Sequence, residues 1–462
     1  MFAWVGLLCL RGDPQAAEPR VGAPNDRPNI VFILADDLGW TDVACFGSKY
    51  YETPHIDALA RGGMRFTRGY TCGPNCQPTR AALMSGQYGP RTGVYTVGSI
   101  DRFNWRSRPL RPVDNVENLP LDKITLAQSL RSAGYATGMF GKWHLGQNGR
   151  YHPAQRGFDE AIVSMGQHFD FETSPKVEYP QGQYLADFLT DKAVDFIRRH
   201  RDGPFFLYLT HFAVHSPHVA KPDLEKKFEA KAPVAGHDSP TYAAMIASVD
   251  ESVGRVVRTL EELKLSDNTL VIFTSDNGGV GGYDREGLNR SGGITDNAPL
   301  RGGKGMLYEG GTRVPYIFRW PGKIAEGQVR QDPILSVDLY PTLLDLAGQS
   351  PPSNYPLDGI SYKDLLLGAV DHLPNRAIYW HFPGYLGAGV DSWRTTPAGA
   401  VQVGPWKLLE FFETGKLELY NLDDDLGQRS NLASTHPDKV KELKAKLSEW
   451  RAAIHAPMPT KN

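Results

Sequence analysis

The sequence predicts an α/β fold with a large, mixed and mostly parallel sheet flanked by helices, followed by a small antiparallel α+β subdomain. Two patterns support this prediction. From Asn29 onward, short runs of β-branched and aromatic residues alternate with amphipathic helical patterns, which is typical of parallel sheets. After Pro374, short strand patterns follow one another closely, which indicates antiparallel pairing. We therefore divide the chain into residues 1–26, a main domain at 27–370 and a C-terminal subdomain at 371–462.

The individual elements follow from hydrophobic periodicity and from helix start and stop residues. Thr53-Pro54 opens the first helix, and Gly134 ends the second. The predicted elements of the main domain are strand 30–35, a helix from 54, helix 126–132, strand 135–140, helix 184–199, strand 205–209, a long helix through 245–260 and strand 270–274. The segment 278–311 is rich in glycine and has no sustained periodicity, so we predict a long loop over the functional site. The predicted elements of the subdomain are strands 377–380, 400–403, 406–411 and 417–422 and a charged helix near 439–453.

The composition is that of an ordinary globular protein and does not favour a polyanionic partner. The 462 residues include 50 basic and 52 acidic side chains, which leaves a formal charge of -2. The length exceeds that of most single domains and permits a large core. We therefore expect no nucleic-acid partner, and any anionic ligand must be captured locally.

Four cysteines, Cys9, Cys45, Cys72 and Cys76, are too few and too clustered for a disulfide framework. No CxxC pair indicates a zinc site. We interpret Cys45 and Cys72 as plain buried thiols.

Residues 1–26 have the features of an atypical export leader. A short apolar run at 2–10 precedes Arg11, and small residues at 14–17 provide a weak cleavage context. We therefore predict a periplasmic or secreted protein whose mature chain starts before Arg27. No other stretch is long and apolar enough to span a bilayer, so we predict no stable membrane insertion.

Two acidic pairs directly follow predicted strands. Asp36 and Asp37 follow the first strand, and Asp276 and Asn277 follow the strand at 270–274. The carboxyl ends of parallel strands meet at one edge of a sheet, where α/β folds place their ligands. Three carboxylates and an amide oxygen suit a hard cation, calcium or magnesium, better than zinc. Each pair by itself is also typical of a loop turn or a helix cap.

A cysteine precedes a predicted helix in the run C-Q-P-T-R at 76–80. Pro78 suits the first position of a helix, and Gly86 suits its end. Cys76 would then lie at a helix N-terminus, where backbone N–H groups attract anions. The same five residues are also consistent with an unmodified cysteine in a turn.

Three further segments place lysine and histidine side chains near the same edge. Lys142 and His144 follow a predicted strand, and alternate residues of an extended segment point to the same side. His215 follows another strand and lies two residues before a proline. Lys304 lies in the glycine-rich segment 300–315, whose backbone can approach an anion closely. Each segment alone is equally consistent with a surface loop.

Together these motifs resemble, in their order and spacing, the type I sulfatases of the alkaline-phosphatase-like superfamily. The resemblance extends from about Asn29 to about Ala433 and includes the segment 419–432. In that family a formylglycine-generating enzyme oxidises the motif cysteine to 3-oxoalanine, or formylglycine, whose hydrate is the nucleophile. The residues that agree with the motif are Cys76, Pro78, Arg80 and Gly86. The residues that depart from it are Asn75, Gln77 and Thr79, where the family has an apolar residue, a small residue and Ser or Ala.

The resemblance implies a sulfuric ester hydrolase that cleaves a sulfate monoester, with a carbohydrate sulfate as the expected substrate. It also implies one bound Ca²⁺, with Mg²⁺ as the alternative. The implied metal ligands are Asp36, Asp37, the modified Cys76, Asp276 and Asn277. The implied catalytic residues are Cys76, Arg80, Lys142, His144, His215 and Lys304. In this scheme His215 with Lys304 protonates the leaving alcohol, His144 deprotonates the second hydroxyl of the hydrate, and the cations stabilise the sulfate oxygens.

Two other interpretations stay open at this point. A phosphodiester or phosphonate monoester hydrolase could use the same aldehyde, because its substrates are also tetrahedral anions. An inactive anion-binding protein would keep an intact thiol if Asn75 and Gln77 prevented maturation. The expected partner is a sulfated small molecule or glycan, with the segments 168–170 and 380–383 at the edge of its pocket. We interpret three further residues as structural, namely His211, Arg301 and Arg313.

Overall fold

The computed structural model describes residues 27–288, 293–389 and 392–462. The predicted leader at 1–26 lies outside the described residues. The strands are β1 Asn29–Ala35, β2 Met64–Phe66, β3 Gly69–Tyr70, β4 Leu110–Arg111, β5 Ala136–Gly141, β6 Glu160–Val163, β7 Phe205–Thr210, β8 Thr269–Ser275, β9 Tyr316–Arg319, β10 Gln328–Arg330, β11 Ile334–Leu335, β12 Ala377–Phe382, β13 Leu386–Gly389, β14 Ser392–Thr395, β15 Ala398–Val403, β16 Trp406–Phe411, β17 Leu417–Asn421 and β18 Thr460–Lys461. The helices are α1 Pro54–Arg61, α2 Cys76–Ser85, α3 Gly89–Thr92, α4 Leu126–Ser132, α5 Leu185–Arg199, α6 Pro222–Glu229, α7 Pro240–Glu262, α8 Glu309–Thr312, α9 Leu339–Leu346, α10 Lys363–Leu366 and α11 Pro437–Ala453.

Eight strands form the main sheet in the order β10-β2-β9-β8-β1-β7-β5-β6. The five strands from β8 to β6 run parallel, whereas β9 runs antiparallel to both β8 and β2. A separate four-stranded antiparallel sheet lies C-terminal to it. The predicted fold class is therefore confirmed.

Strand β1 lies in the middle of the main sheet, and helices cover both of its faces. Alternate side chains of β1 belong to two different apolar clusters. Val31 and Ile33 pack with residues of α5 and α7, whereas Phe32 and Leu34 pack with residues of α4 and α9. Burial on both faces explains why the parallel strands read as continuous apolar runs in the sequence.

The second sheet joins the main domain through one of its faces. Helix α11 covers the opposite face, where Leu443 and Leu447 pack against Val401 and Leu408. Trp380 lies on the joining face, in an apolar cluster that also contains residues of the main domain. The predicted boundary near residue 370 stays a prediction.

The elements that periodicity did not predict are short, with at most eight residues each. They include β2, β6, β9 and β10 of the main sheet, the helices α6 and α9, and the hairpin formed by β13 and β14. One detail of the prediction is wrong: Pro78 is the third residue of α2 rather than the first, because Cys76 already begins the helix. A proline is tolerated there, since the N–H groups of a first helical turn have no partner within the helix. Within the described ranges, no helix is long and apolar enough to cross a bilayer.

Candidate active site

The two acidic pairs meet at the carboxyl edge of the main sheet. Asp36 and Asp37 follow β1, and Asp276 and Asn277 follow β8, whose last residues pair in parallel register. The Asp37 backbone N–H donates to Asp276 Oδ1 at 3.2 Å, and Asn277 Nδ2 donates to Asp37 Oδ1 at 2.8 Å. All four side chains are buried, so their charges are shielded little by water.

Helix α2 brings Cys76 to this edge. Cys76 is the first residue of the helix and is 2% exposed. Its sulfur and one carboxylate oxygen from each of Asp36 and Asp276 lie within 4.8 Å of one another. One turn later, Arg80 Nε donates to Asp276 Oδ2 at 2.8 Å, and the same guanidinium donates to the carbonyl of Lys142. Arg80 therefore fixes the start of α2 against the ends of β8 and β5.

Two lysines balance the carboxylates. Lys142 Nζ lies 2.5 Å from Asp36 Oδ2, and Lys304 Nζ lies 2.7 Å from Asp37 Oδ2. Lys142 follows Gly141, where a Cβ would lie 1.8 Å from the carbonyl oxygen of Thr210, so only glycine permits this approach of β5 to β7. The strand end thus directs Lys142 into the site.

The buried charges shift one another's pKa values. Burial acts to raise the pKa of Asp37, but Lys304, His215 and Lys142 outweigh it and hold that pKa below its ordinary value. Burial, with Asp36 next to it, raises the pKa of Asp276 to about 6. At Asp276, burial and the neighbouring carboxylate therefore outweigh the positive charges of Arg80 and Lys142.

The donor set fits a hard divalent cation. Asp36 Oδ1 and Asn277 Oδ1 are buried and accept no hydrogen bond within the described part of the chain. Buried polar atoms without partners are rare, and each requires an explanation. Oxygen ligands from three carboxylates and an amide are those that Ca²⁺ and Mg²⁺ prefer. The five residues predicted as ligands thus lie together, and two of them offer unused oxygens.

Two histidines complete the cluster. His215 Nδ1 donates to the carbonyl oxygen of Ser216 at 2.6 Å, which leaves Nε2 directed towards Asp37 Oδ2 at 3.7 Å. Burial lowers the pKa of His215 to about 4, although Asp37 opposes the shift. His144 Nδ1 is buried without a hydrogen-bond partner among the described residues, and burial followed by the charge of Lys142 holds its pKa well below its ordinary value. Both rings are therefore neutral at pH 7 and can accept a proton.

A cavity of about 600 Å³ opens over these residues. Its lining includes six residues that were singled out from the sequence, namely Asp37, Cys76, Lys142, His144, His215 and Lys304, together with His218. Val280 comes from the loop that was predicted to lie over the site, whereas the rest of the outer wall comes from residues that the sequence did not indicate, namely Val97, Arg102, Phe103, Met165, Leu386, Gly387 and Arg394. A second cavity of about 530 Å³, lined mainly by residues of α5 and α7, lies apart from this chemistry.

The predicted pocket-edge segments are wrong. Trp380 and Phe382 are fully buried in the apolar cluster that joins the two sheets, and His381 donates to the carbonyl of Pro457. His168 is 1% exposed and lies behind the site, where Nε2 contacts the carbonyl oxygen of His215 at 2.8 Å. Aromatic residues in a strand pattern are more often core than ligand contacts, and that is the case for Trp380.

The residues interpreted as structural lie where that interpretation expects them. His211 is fully buried and contacts Ser252 Oγ at 2.9 Å. Arg301 Nε donates to Glu286 at 2.8 Å, and Arg313 Nε donates to the carbonyl of Thr67 at 2.6 Å. These contacts anchor the long loop without entering the cavity.

Comparisons with known proteins agree with this geometry. The sulfatase family model matches residues 28–349, and the model of the N-sulphoglucosamine sulphohydrolase C-terminal region matches residues 303–453. A sulfatase from Formosa agariphila is 34% identical and covers 94% of this chain and 90% of its own length. N-acetylgalactosamine-6-O-sulfatase from Bacteroides thetaiotaomicron is 29% identical, and the match covers 95% of this chain and 96% of that protein. The human N-acetylgalactosamine-6-sulfatase is 34% identical, and the match covers 78% of this chain and 69% of the human protein.

Solved structures give the same result. The crystal structure of Ps i-CgsB in complex with k-i-k-neocarrahexaose matches with a TM-score of 0.77 at 30% identity, covering 92% of each chain. The structure of BT4656 in complex with its substrate D-glucosamine-2-N,6-O-disulfate matches in fold, with a TM-score of 0.74 at 22% identity. The match covers 93% of this chain and 98% of BT4656. Because the family model spans most of the chain and the relatives align along nearly all of it, the protein belongs to the sulfatase family of the alkaline-phosphatase-like superfamily and is a sulfatase.

Proposed function

We propose that this sulfatase hydrolyses a sulfate monoester on a carbohydrate, with formylglycine formed from Cys76 and one bound Ca²⁺, or Mg²⁺ in its place. One observation carries the proposal. The first residue of α2, Cys76, lies within 4.8 Å of the carboxylates of Asp36 and Asp276, next to two buried lysines and at the floor of a cavity. This arrangement combines a nucleophile position, a cation site and positive charge for an oxyanion.

The carbohydrate assignment rests on the relatives. Several of them are named N-acetylgalactosamine-6-sulfatase or N-acetylgalactosamine-6-O-sulfatase, and the Ps i-CgsB structure is a complex with k-i-k-neocarrahexaose. The cavity volume of about 600 Å³ lies within the range of roughly 300–1,000 Å³ that is usual for small-molecule sites. We therefore take a hexosamine 6-sulfate as the first substrate to test.

The unmodified thiol is poorly suited to attack sulfur. Burial raises the pKa of Cys76, so the neutral thiol predominates at pH 7. Formylglycine, when present, supplies a hydrated aldehyde whose one hydroxyl attacks and whose other hydroxyl permits sulfate to be expelled by return to the aldehyde. The exposure of Cys76 is only 2%, so we expect the formylglycine-generating enzyme to act before the chain folds.

The cation site is assigned to Asp36, Asp37, Asp276, Asn277 and the modified Cys76. A divalent ion held there supplies positive charge to the sulfate oxygens and to the attacking hydroxyl. Removing it leaves three carboxylates in a buried cluster, so we expect chelation to lower both activity and stability.

The remaining side chains bind the anion and move protons. Arg80, Lys142 and Lys304 place three positive charges around the reacting sulfate, where buried donors act strongly. The negative charge of a bound sulfate ester raises the pKa of His215, so that its ring gains a proton at Nε2 when substrate occupies the cavity. Because Nδ1 is held by the carbonyl of Ser216, Nε2 then donates that proton to the leaving oxygen, and Lys304 is a second proton source. His144 is neutral and has a buried Nδ1 without a partner among the described residues, which suits it to take the proton of the second hydroxyl.

Mass spectrometry of the tryptic peptide 69–80 tests the nucleophile. The peptide contains both Cys72 and Cys76 and should be alkylated before analysis, from protein made in a host that forms formylglycine. One alkylated thiol and an aldehyde at position 76 would support the proposal. Two alkylated thiols would contradict it and favour an inactive anion-binding protein.

Rates on two ester types test the reaction class. Sulfate release from N-acetylgalactosamine 6-sulfate should exceed hydrolysis of aryl phosphate and phosphonate esters by the same preparation. Faster hydrolysis of the phosphorus esters would favour the phosphodiester or phosphonate hydrolase. A periplasmic or secreted location, which we propose from the export-like features of residues 1–26, is tested by fractionation of the native host.

A further inference from the structure

The cavity extends past the reacting edge to a wall that carries two arginines. One part of the wall comes from the segment between α3 and α4, which contributes Arg102 and Phe103. The other part is the hairpin of β13 and β14, which contributes Leu386 and Arg394. Neither arginine has a role in the chemistry proposed above, yet both line the same cavity as Cys76.

The two arginines lie against aromatic rings that orient them. Arg102 Cζ lies 5.3 Å from the centroid of Phe103, and it forms no ion pair with a carboxylate of the described residues. Phe103 in turn contacts Trp393 edge to face, with the ring centroids 6.1 Å apart. Arg394 Cζ lies 4.4 Å from the centroid of Tyr283, whose hydroxyl donates to the carbonyl of Lys304 at 2.8 Å. The wall is thus continuous with the loop that carries Lys304.

Two of the three residues that depart from the family motif hold this wall in place. Asn75 Nδ2 donates to Thr96 Oγ1 at 3.1 Å, and Gln77 Nε2 donates to the carbonyl of Glu117. Gln77 Oε1 also accepts a weak bond from the N–H of Gly98 at 3.4 Å. Asn75 is 1% exposed, lines the cavity, and has an Oδ1 that accepts no hydrogen bond from the described residues. Both side chains therefore connect the nucleophile helix to the segment that bears Arg102.

A second set of bonds makes the segment rigid. Asn115 Oδ1 accepts from the N–H of Tyr95 at 2.7 Å, and Asn115 Nδ2 donates to the carbonyl of Gly98 at 2.8 Å. Ser99 caps the short helical turn that ends at Arg102. Because these bonds already fix the backbone of the segment, Arg102 loses less conformational entropy when it binds a ligand.

We propose that Arg102 and Arg394 bind a second anionic group of the substrate, a carboxylate or another sulfate, while Phe103 contacts a sugar ring. The proposal rests on the proposed function, because the sulfate ester that is cleaved occupies the Cys76 end of the cavity. Guanidinium groups pair with carboxylate and sulfate through two parallel hydrogen bonds. The chain has a net charge of -2 and no general attraction for polyanions, so selection of an acidic glycan must come from such local cations. The substrate class is therefore a sulfated glycan unit with an acidic group next to the ester.

Binding measurements test the subsite without depending on turnover. In the Cys76→Ser chain with Ca²⁺ present, calorimetry gives the Kd for four probes. They are N-acetylgalactosamine 6-sulfate, N-acetylgalactosamine 4,6-disulfate, a disaccharide of glucuronate and N-acetylgalactosamine 6-sulfate, and the same disaccharide with glucose in place of glucuronate. The variants are Arg102→Gln and Arg394→Gln, and Arg106→Gln is the matched control. Arg106 belongs to the same segment but pairs with Asp101 at the surface.

We expect at least one doubly anionic probe to bind about tenfold or more tightly than its singly anionic counterpart, since bonds to charged groups are strong. Arg102→Gln and Arg394→Gln should each remove most of this preference, whereas Arg106→Gln should retain it. Preference for the disulfate identifies a sulfate partner, and preference for the glucuronate probe identifies a carboxylate partner.

Equal affinity for all four probes, or loss of preference in the Arg106→Gln control alone, would overturn the subsite. Turnover of the same probes by the matured wild-type chain is measured separately. Preferential binding of a doubly anionic probe without turnover would refute the proposed activity and keep the subsite. Turnover of the probes without preferential binding would support the proposed activity and refute the subsite.

Discussion

Single side chains in this site act mainly through charge. Asp36, Asp37 and Asp276 face Arg80, Lys142 and Lys304 in a buried cluster, so each removal leaves an opposite charge without its partner. A sulfate ester adds negative charge near the lysines, and a divalent cation adds positive charge near the carboxylates. Substitutions here should therefore affect catalysis through the transferring oxygens as well as folding.

Lys304→Met tests the contribution of the loop lysine. Loss of Nζ removes a positive charge from the sulfate oxygens and leaves Asp37 without its 2.7 Å partner. Removing one buried oxyanion donor typically lowers kcat by about 10²–10³-fold. Steady-state kinetics measure the loss, and Lys323→Met, at an exposed lysine, is the control. Unchanged kcat in a folded Lys304→Met variant would remove Lys304 from the proposed machinery.

His215→Asn tests the proton donor. Loss of general acid catalysis should lower kcat on a sugar sulfate by about 10²–10⁴-fold, because an alkoxide is a poor leaving group. The loss should be much smaller on nitrophenyl sulfate, whose leaving group needs no proton. His455→Asn is a suitable control, since His455 is exposed and has a φ of +53°, which asparagine tolerates. Equal losses on both substrates would indicate a binding role for His215 rather than proton transfer.

At the scale of elements, the loop 278–311 shows how closely backbone must pack to place one side chain. At Gly303, next to Lys304, a Cβ would lie 2.3 Å from the carbonyl oxygen of Gly281 and 2.6 Å from that of Gly279. Both contacts are with backbone, so the loop cannot relieve them by turning a side chain. Glycine at this position is therefore required by close approach rather than by turn geometry.

Gly303→Ala should displace Lys304 and reduce activity more than stability. A displacement of about 1 Å in a catalytic group can cost about 10²-fold in rate. We would measure kcat and the melting temperature of the variant and compare both with wild type. Gly203→Ala is the control, since a Cβ at position 203 meets no atom within 4 Å. A large fall in melting temperature without a fall in kcat of the folded fraction would contradict this prediction.

The elements that carry the chemistry could be predicted because their signals are local. β1, β7 and β8 are continuous apolar runs, and Asp36, His215 and Asp276 follow them within a few residues. The cavity wall could not be predicted, because Arg102 and Arg394 come from an irregular segment and a four-residue hairpin strand. Asn75 and Gln77 looked like departures from a motif, and only their partners some 20 to 40 residues away show what they hold.

At the scale of the whole molecule, a buried ion pair joins the two sheets behind the active site. Lys407 on β16 contacts Glu309 on α8 at 2.7 Å, and both side chains are fully buried. Tyr70 Oη also donates to Glu309 at 3.0 Å. Because α8 lies at the C-terminal end of the loop that carries Lys304, the second sheet holds that loop in place.

Lys407→Met should destabilise the protein by about 3 kcal/mol, because the buried carboxylate of Glu309 then keeps only Arg313, at 3.3 Å, as a cation partner. The double variant Glu309→Leu with Lys407→Met should recover part of this loss, since it removes both charges of the closer pair, although Arg313 and Tyr70 then lose their carboxylate partner. Urea unfolding at constant pH measures both values. Additive losses in the double variant would show that the pair is not coupled.

Acid stability also belongs to the whole molecule, because it depends on histidines buried far from the site. Burial lowers the pKa of His381 to about 4, with the charge of Arg451 adding to the effect and the bond to Pro457 opposing it. The unfolded pKa is about 6.5, so the folded chain binds fewer protons between pH 6.5 and 4, and stability falls as the pH falls through this window. One such histidine accounts for a loss of about 2.5 kcal/mol between pH 7.5 and 4.5.

His381→Gln isolates this contribution, since glutamine keeps an N–H donor for the carbonyl of Pro457 and does not titrate. The variant should be somewhat less stable than wild type at pH 7.5, because glutamine fills the ring site imperfectly. Its unfolding free energy should nevertheless fall by about 2.5 kcal/mol less than that of wild type on going to pH 4.5. Carboxyl groups with raised pKa values, such as Asp250 and Asp276, shift stability in the opposite direction but equally in both chains, so they cancel in the comparison. Parallel pH profiles for the two chains would mean that His381 is protonated as readily in the folded state as in the unfolded state.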